Sequence, residues 1–137
     1  MKSKLDPELL RAYEETDYIV SDDPPLVLRV GEQNDDARIL LASFGVSTAV
    51  FLTAWNPGSE KLSEDENLDR QMELLSEIEA RRLNYLVGYG ERDEWREYSY
   101  LILGIDRQDA SDLALKFEQN AYVWLDDTGV PTLVKMS

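Results

Sequence analysis

At 137 residues, with 43% hydrophobic and 31% charged side chains, the chain has the composition of one folded domain rather than of a disordered segment. Its 28 acidic and 14 basic residues leave a formal charge of −14, which opposes nucleic-acid phosphates and anionic lipid as partners. Cysteine and histidine are both absent, which excludes disulfides, thiolate and imidazole metal sites, a cysteine nucleophile and a serine–histidine triad, and permits a reducing compartment.

Any chemistry therefore falls to carboxylates, Lys, Tyr, Ser, Thr or a carboxylate-bound hard cation; no cofactor and no metal site is expected. The opening residues 1–7 lack the apolar run of a secretory signal, and no stretch of roughly 18 apolar residues occurs, so the expectation is a cytoplasmic chain without a membrane span.

Asp6-Pro7-Glu8 has the form of a helix start, with Leu9 and Tyr13 on one face of a short N-terminal helix. Residues 17–21 and 26–30 read as two strands joined by the turn-prone Ser21-Asp22-Asp23-Pro24-Pro25. Ala37, Leu40, Leu41 and Phe44 recur at helical spacing, and Gly45 marks the stop. Thr48–Trp55 and Tyr100–Ile105 are nearly unbroken apolar runs, the pattern of strands buried on both faces.

Between those runs lies a long helix from Ser63, with Ser63 and Glu66 at capping-box spacing and Leu68, Met72, Leu75 and Ile78 as its expected inner stripe. Tyr85–Tyr89 alternates like an edge strand, the Gly88-Tyr89-Gly90 segment reads as a turn, and 91–97 reads as a charged loop. Ala110, Leu113, Ala114 and Phe117 define another helix, Ala121–Leu125 a further strand, and a hairpin through Asp126–Gly129 leads to a last strand at Pro131–Lys135.

The series predicts an α+β fold in a single domain over 1–137. A ferredoxin-like βαββαβ core runs from about 48 to 125, carrying an N-terminal αββα extension and a C-terminal hairpin strand. That topology puts its first and third strands at the sheet centre, where the two apolar runs fall.

Three stretches carry a family resemblance: Thr53-Ala54-Trp55-Asn56-Pro57-Gly58-Ser59, then Glu66-Asn67 with Arg70-Gln71, then Phe117-Glu118-Gln119-Asn120-Ala121. With Ala12-Tyr13, Leu28-Arg29-Val30-Gly31 and Leu103-Gly104-Ile105, they resemble the family catalogued as domain of unknown function 3293, over most of the chain. The resemblance implies a compact bacterial domain and no particular activity. The chain departs from the family pattern at Glu118, where glycine is usual, so the backbone there is left open.

In the split arrangement the three stretches meet at one edge, which gathers Asn56, Ser59, Asn67, Arg70, Gln119 and Asn120 as candidate ligand-binding residues. Amides, a hydroxyl, one Arg and a helix N-terminus suit a small polar or phosphorylated, nucleotide-like ligand. The competing local reading makes Asn56-Pro57-Gly58-Ser59 a demanding turn that Arg70 and the amides tie down through its backbone carbonyls. If Arg70 meets a ligand, Arg70→Ala changes a ligand-induced melting shift more than it changes folding; if it ties the loop, the variant fails to fold.

Catalysis finds thin support, with Glu66, Asp69 and Glu91 as acid–base candidates should they lie buried near Arg70. The pairs Asp22-Asp23, Asp35-Asp36 and Asp126-Asp127 lack the pattern of a calcium loop and suit turns and helix caps. Tyr85, Tyr89, Tyr98, Tyr100, Tyr122 and Trp124 could stack bases on an open sheet, but the charge argues for core packing instead. A different class of function also stays open, an acidic interaction or inhibitor module docking on a basic partner.

Overall fold

The computed structural model describes residues 7–136, so Asp6, the expected cap of the first helix, lies outside the described residues. Among those residues the chain is α+β, with the order α1 (Pro7–Glu15), β1 (Asp17–Val20), β2 (Leu26–Leu28), α2 (Asp35–Ser43), β3 (Thr48–Leu52), α3 (Glu64–Ala80), β4 (Asn84–Arg92), β5 (Trp95–Leu103), α4 (Arg107–Lys116), β6 (Ala121–Asp126) and β7 (Thr132–Lys135). All seven strands form one sheet in the order β2-β1-β4-β5-β3-β6-β7, antiparallel at every junction. The two apolar runs, β3 and the inner half of β5, lie side by side within it, so the N-terminal strands extend the sheet from the β4 side.

Alternate residues of the central strands feed two hydrophobic layers, which is why those strands read as continuous apolar runs. Val50, Leu52, Tyr100, Ile102, Tyr122 and Trp124 pack under Leu74 and Ile78 of α3 and Ala110, Leu113 and Ala114 of α4. On the other face Ala49, Phe51, Leu101, Leu103, Val123 and Leu125 pack against Ala37, Leu40 and Leu41 of α2 and the buried side chains of β1 and β2. Tyr100, Tyr122 and Trp124 are thus core residues, while Tyr98 remains on the surface.

Side-chain caps and glycines set the helix ends and the last hairpin, among them the expected Gly45, the Ser63 and Glu66 pair and the Asp126–Gly129 turn. The Asn34 side chain accepts from the Ala37 amide to start α2, and Gly45, at φ 69°, ends it. Ser63 and Glu66 form a reciprocal capping box at the start of α3. Asp106 caps α4. Asp126 accepts from the Thr128 amide and hydroxyl in the last hairpin, and Gly129 there takes φ 78°.

Three local expectations require correction. The first concerns the inner stripe of α3, which is Asn67, Gln71, Leu74 and Ile78, whereas Leu68 and Met72 are 41% and 68% exposed. The first two turns of the helix face a loop whose backbone groups have no ladder partners, so amides turn inward there to supply them.

The second concerns residues 84–103, which form one long hairpin turning only at Asp93-Glu94, so Gly88–Gly90 and most of 91–97 are strand. Its tip projects past the core into solvent and therefore reads as charged. It is held by ladder pairs, an ion pair of 2.8 Å from Arg96 to Glu91, and the Arg96 guanidinium over the Tyr89 ring. Gly88 is required in the strand because a Cβ there would run into the Ile19 carbonyl oxygen of the adjoining strand.

The third concerns the strand expected to reach Trp55, which stops at Leu52. Residues 53–55 leave the ladder because α3 supplies their partners: the Gln71 side-chain oxygen accepts from the Ala54 amide at 3.1 Å, and Arg70 Nε donates to the Ala54 carbonyl at 2.8 Å.

Candidate functional site

The loop from Thr53 to Leu62 begins with two local devices. Thr53 Oγ1 donates to the Tyr98 carbonyl and accepts from the Trp55 amide, which turns the chain out of the sheet. Asn56 then adopts φ 47° and ψ 67°, a left-handed conformation that asparagine tolerates better than most residues. A single 3-10 turn, Pro57–Ser59, follows and carries Ser59.

Asn56 and Asn67 grip each other. The Asn56 amide donates to Asn67 Oδ1 at 2.8 Å, and Asn67 Nδ2 donates to Asn56 Oδ1 at 2.8 Å. Asn56 Oδ1 also accepts from the Leu62 amide at 3.1 Å, so one side chain closes the loop across six residues.

Arg70, with a side chain 22% exposed, donates to the Ala54 carbonyl, to the Phe117 carbonyl and, at 3.5 Å, to Glu118. Gln119 Nε2 donates to the Trp55 and Phe117 carbonyls at 3.0 and 3.2 Å. The Gly58 amide donates to the Glu118 carbonyl at 2.6 Å. Glu118 itself sits at φ 58°, the conformation that glycine adopts without strain, which resolves the backbone at that departure from the family pattern.

The structure therefore brings Asn56 and Asn67 into direct contact, and Arg70 and Gln119 onto a shared carbonyl. Asn120 is buried beside them, its carbonyl receiving the Met136 amide, and it lines with Pro57, Gly58, Glu118 and Gln119 an open groove on the far side of the loop. Arg70, the group expected to meet an anion, has its donors on backbone carbonyls and Glu118. Two buried nitrogens, Trp55 Nε1 and Gln71 Nε2, have no hydrogen-bond partner among the described residues.

The other end of the Asn56 side chain points elsewhere. Its Nδ2 donates to Glu97 Oε2 at 3.0 Å. Glu97 lies on the same face of β5 as Ser99, Leu101 and Leu103, where the apolar row turns polar just before the hairpin tip. Across the ladder its partner is Gly90, whose other neighbour is Tyr18. The middle strand thus has no side chain at this level, and a recess of about 50 Å³ opens, walled by Tyr13, Thr16, Tyr18, Phe51, Glu97 and Ser99 among others.

Outside the recess, a cleft of about 290 Å³ runs between α1, the Asn56 loop and the hairpin, lined by Leu9, Ala12, Tyr13, Thr16, Asn56, Arg92, Trp95 and Glu97. Glu97 stands where recess and cleft meet. Burial pushes its carboxyl up to about 7, and the Asn56 hydrogen bond opposes that shift.

None of the earlier acid–base candidates is comparable. Glu66 closes the capping box, Asp69 is exposed, and Glu91 pairs with Arg96. Glu97 escapes a reading of 91–97 as loop. Carrying the alternation of β5 back from Leu103 through Leu101 and Ser99 would have placed it on the inner face, a polar residue at a core position.

A family model described as "Protein of unknown function (DUF3293)" matches residues 52–122, more than half of the chain. The chain belongs to the DUF3293 family. No curated protein and no solved structure matches it. In this DUF3293 protein the matched segment contains the Asn56 loop, all of α3, the hairpin with Glu97, α4 and the Phe117–Asn120 turn. Tyr13 and Thr16 of the cleft lie outside it. No helix of the described residues is long and apolar enough to cross a membrane.

Proposed function

We propose that this DUF3293 protein is a ferredoxin-like domain of the bacterial cytoplasm that binds a small polar ligand at the edge formed by the Trp55-Asn56-Pro57-Gly58-Ser59 loop. The cleft between that loop, α1 and the β4–β5 hairpin is where the ligand sits. A ferredoxin-like core is supported by the chain order β3-α3-β4-β5-α4-β6 together with the sheet order β4-β5-β3-β6. A reducing compartment suits a chain with no cysteine.

One observation carries the binding reading: a carboxylate, Glu97, held in a partly desolvated position at the mouth of a recess with a single hydrogen bond among the described residues. Folding gains nothing from that arrangement at neutral pH, since a neutral amide would accept the Asn56 bond without the cost of desolvating a charge. Perturbed carboxyls beside clefts are enriched at functional sites for this reason. Asn56 links the cleft to the loop, so the demanding loop geometry serves to hold one ligand-facing amide in place.

The test is a fragment screen by ¹H–¹⁵N NMR, reading the Trp95 indole N–H and the Asn56 side-chain amide. Small polar fragments that shift both, and leave the buried Trp124 indole still, support the reading. Fragments that gather on the Gly58–Asn120 groove, or a library that moves neither signal, would overturn it.

A further inference from the structure

Glu97 is surrounded by groups that could donate a hydrogen bond to it, yet they are turned away. Thr16 Oγ1 donates to the Ala12 carbonyl at 2.6 Å, the Tyr18 hydroxyl to the Tyr13 carbonyl at 2.9 Å, Thr53 Oγ1 to the Tyr98 carbonyl at 2.6 Å and Ser99 Oγ to the Glu97 carbonyl at 3.4 Å. Each of these hydroxyls lines the recess, and each is already occupied by a backbone carbonyl. Arg92, the cationic side chain of the cleft wall, places Nε and Nη2 on Glu15 at 3.2 and 3.0 Å. Among the described residues the carboxylate therefore meets one donor, Asn56 Nδ2, and keeps acceptor capacity turned to the cavity.

The walls beside it are aromatic. Trp95, 46% exposed, and Tyr13 flank Glu97 in the cleft, an arrangement that favours a cation with an apolar or delocalised body. The protein's charge of −14 concentrates cations and repels anions at its surface. Gly90 supplies the depth, because any side chain there would project between Tyr18 and Glu97; even a Cβ would lie 3.4 Å from the Thr16 methyl.

We propose that the cleft takes a small organic monocation bearing N–H donors, of the amidinium or guanidinium kind, with its head seated on Glu97 and its body against Trp95 and Tyr13. This rests on the binding reading above and gives that ligand its chemistry. A planar head with two parallel N–H groups matches a carboxylate bidentately, filling the acceptor capacity that the protein's own hydroxyls leave open.

Proton linkage follows from the geometry. Among the described residues the titratable and charged groups around Glu97 are Tyr13 and Glu15 from α1, Tyr18 from β1 and Arg92 from β4. Tyr18 is pushed above its usual range by burial and stays neutral. Because Glu97 is raised to about 7, a cation that requires its ionised form binds about tenfold more tightly at pH 8 than at pH 6.

Benzamidine, its neutral isostere benzamide and the anion benzoate form the test set, titrated into the full-length chain by NMR and calorimetry at both pH values. Benzamidine is expected to shift the Trp95 indole and to bind at least tenfold more tightly than benzamide, with benzoate silent. Glu97→Gln, which keeps an oxygen for Asn56 and so keeps the fold by thermal melting, is expected to lose benzamidine at least tenfold and to abolish its pH dependence. Gly90→Ala is expected to weaken it by narrowing the recess.

Benzamide or benzoate binding as tightly as benzamidine, benzamidine binding unchanged in Glu97→Gln, or no benzamidine binding at all would each overturn the cation assignment. Neutral fragments that bind the cleft while benzamidine is not preferred would sink this inference and leave the binding reading standing. If nothing binds the cleft, both fall.

Discussion

Two polar regions meet at Asn56, and they are built on opposite terms. On the α3 side Asn67, Arg70 and Gln119 donate to Asn56 Oδ1, to the Ala54, Trp55 and Phe117 carbonyls and to Glu118, while Trp55 Nε1 and Gln71 Nε2 are buried without a partner among the described residues. On the hairpin side Glu97 is held with one bond among the described residues, beside the Thr16, Tyr18 and Thr53 hydroxyls, which donate to backbone carbonyls. The bonds of the first region run within the fold, as those of buried polar groups that stabilise a structure do. Glu97 instead keeps charged acceptor capacity turned to a cavity.

The largest effect is expected from Arg70→Ala. It leaves the buried Ala54 and Phe117 carbonyls without their charged donor, and a loss on the order of 3–4 kcal/mol in urea denaturation is expected. If Arg70→Ala folds with undiminished stability, the α3 side is no clamp and Arg70 returns as a ligand-facing cation.

Glu97→Gln should act in the opposite direction. In the folded chain the carboxyl is raised to about 7 from an ordinary 4.5, so the native state binds the proton more tightly than the unfolded state. The stability this confers is fully present below about 4.5, where both states are protonated. It is lost progressively as pH rises toward 7. At pH 8 the substitution is expected to stabilise the protein by about 3 kcal/mol, and at pH 4.5 by little. Parallel denaturation curves at the two pH values check this; equal effects at both would show that Glu97 is solvated in the folded chain.

Asn56 belongs to both regions, and two substitutions divide its roles. Asn56→Ala loses the bonds to Leu62 and Asn67 and strains a left-handed backbone, with an expected cost of about 2–3 kcal/mol. Asn56→Gly relieves the strain and should recover about 1 kcal/mol of that. If the two variants melt together, the backbone conformation at 56 matters less than the side-chain bonds.

The smallest effect is expected at Glu118, whose φ of 58° strains any residue with a Cβ. Its contact with Arg70 is 3.5 Å and half in solvent, so Glu118→Gly should raise stability by about 0.5–1 kcal/mol in thermal melts. A drop would show that the ion pair is part of the clamp after all.

Much of the fold was legible because the signals were local. Ser63 with Glu66, and Gly45, are chemically suited to the helix ends where they act. The two apolar runs lie next to each other within the sheet, since only strands covered on both faces need such composition. Convergence of Asn56, Asn67, Arg70 and Gln119 was also legible, as a consequence of topology.

What escaped the sequence is what depends on neighbours. Leu68 and Met72 have the spacing of an inner stripe, and nothing in α3 itself says that its first turns face a loop needing amides. The hairpin tip read as loop because strand ends beyond a core lose their alternation of polarity.

The start of α3, the end of α2 and the sandwiched strands are written in the sequence, because capping chemistry and hydrophobic period act within a few residues. The partners that use up Asn67, Arg70 and Gln119, and the open acceptor of Glu97, follow from the tertiary arrangement. Completeness of hydrogen bonding is a property of all the groups around an atom, and for Glu97 those groups come from α1, β1, β4 and the Asn56 loop, as far as 84 residues away in the numbering from Tyr13.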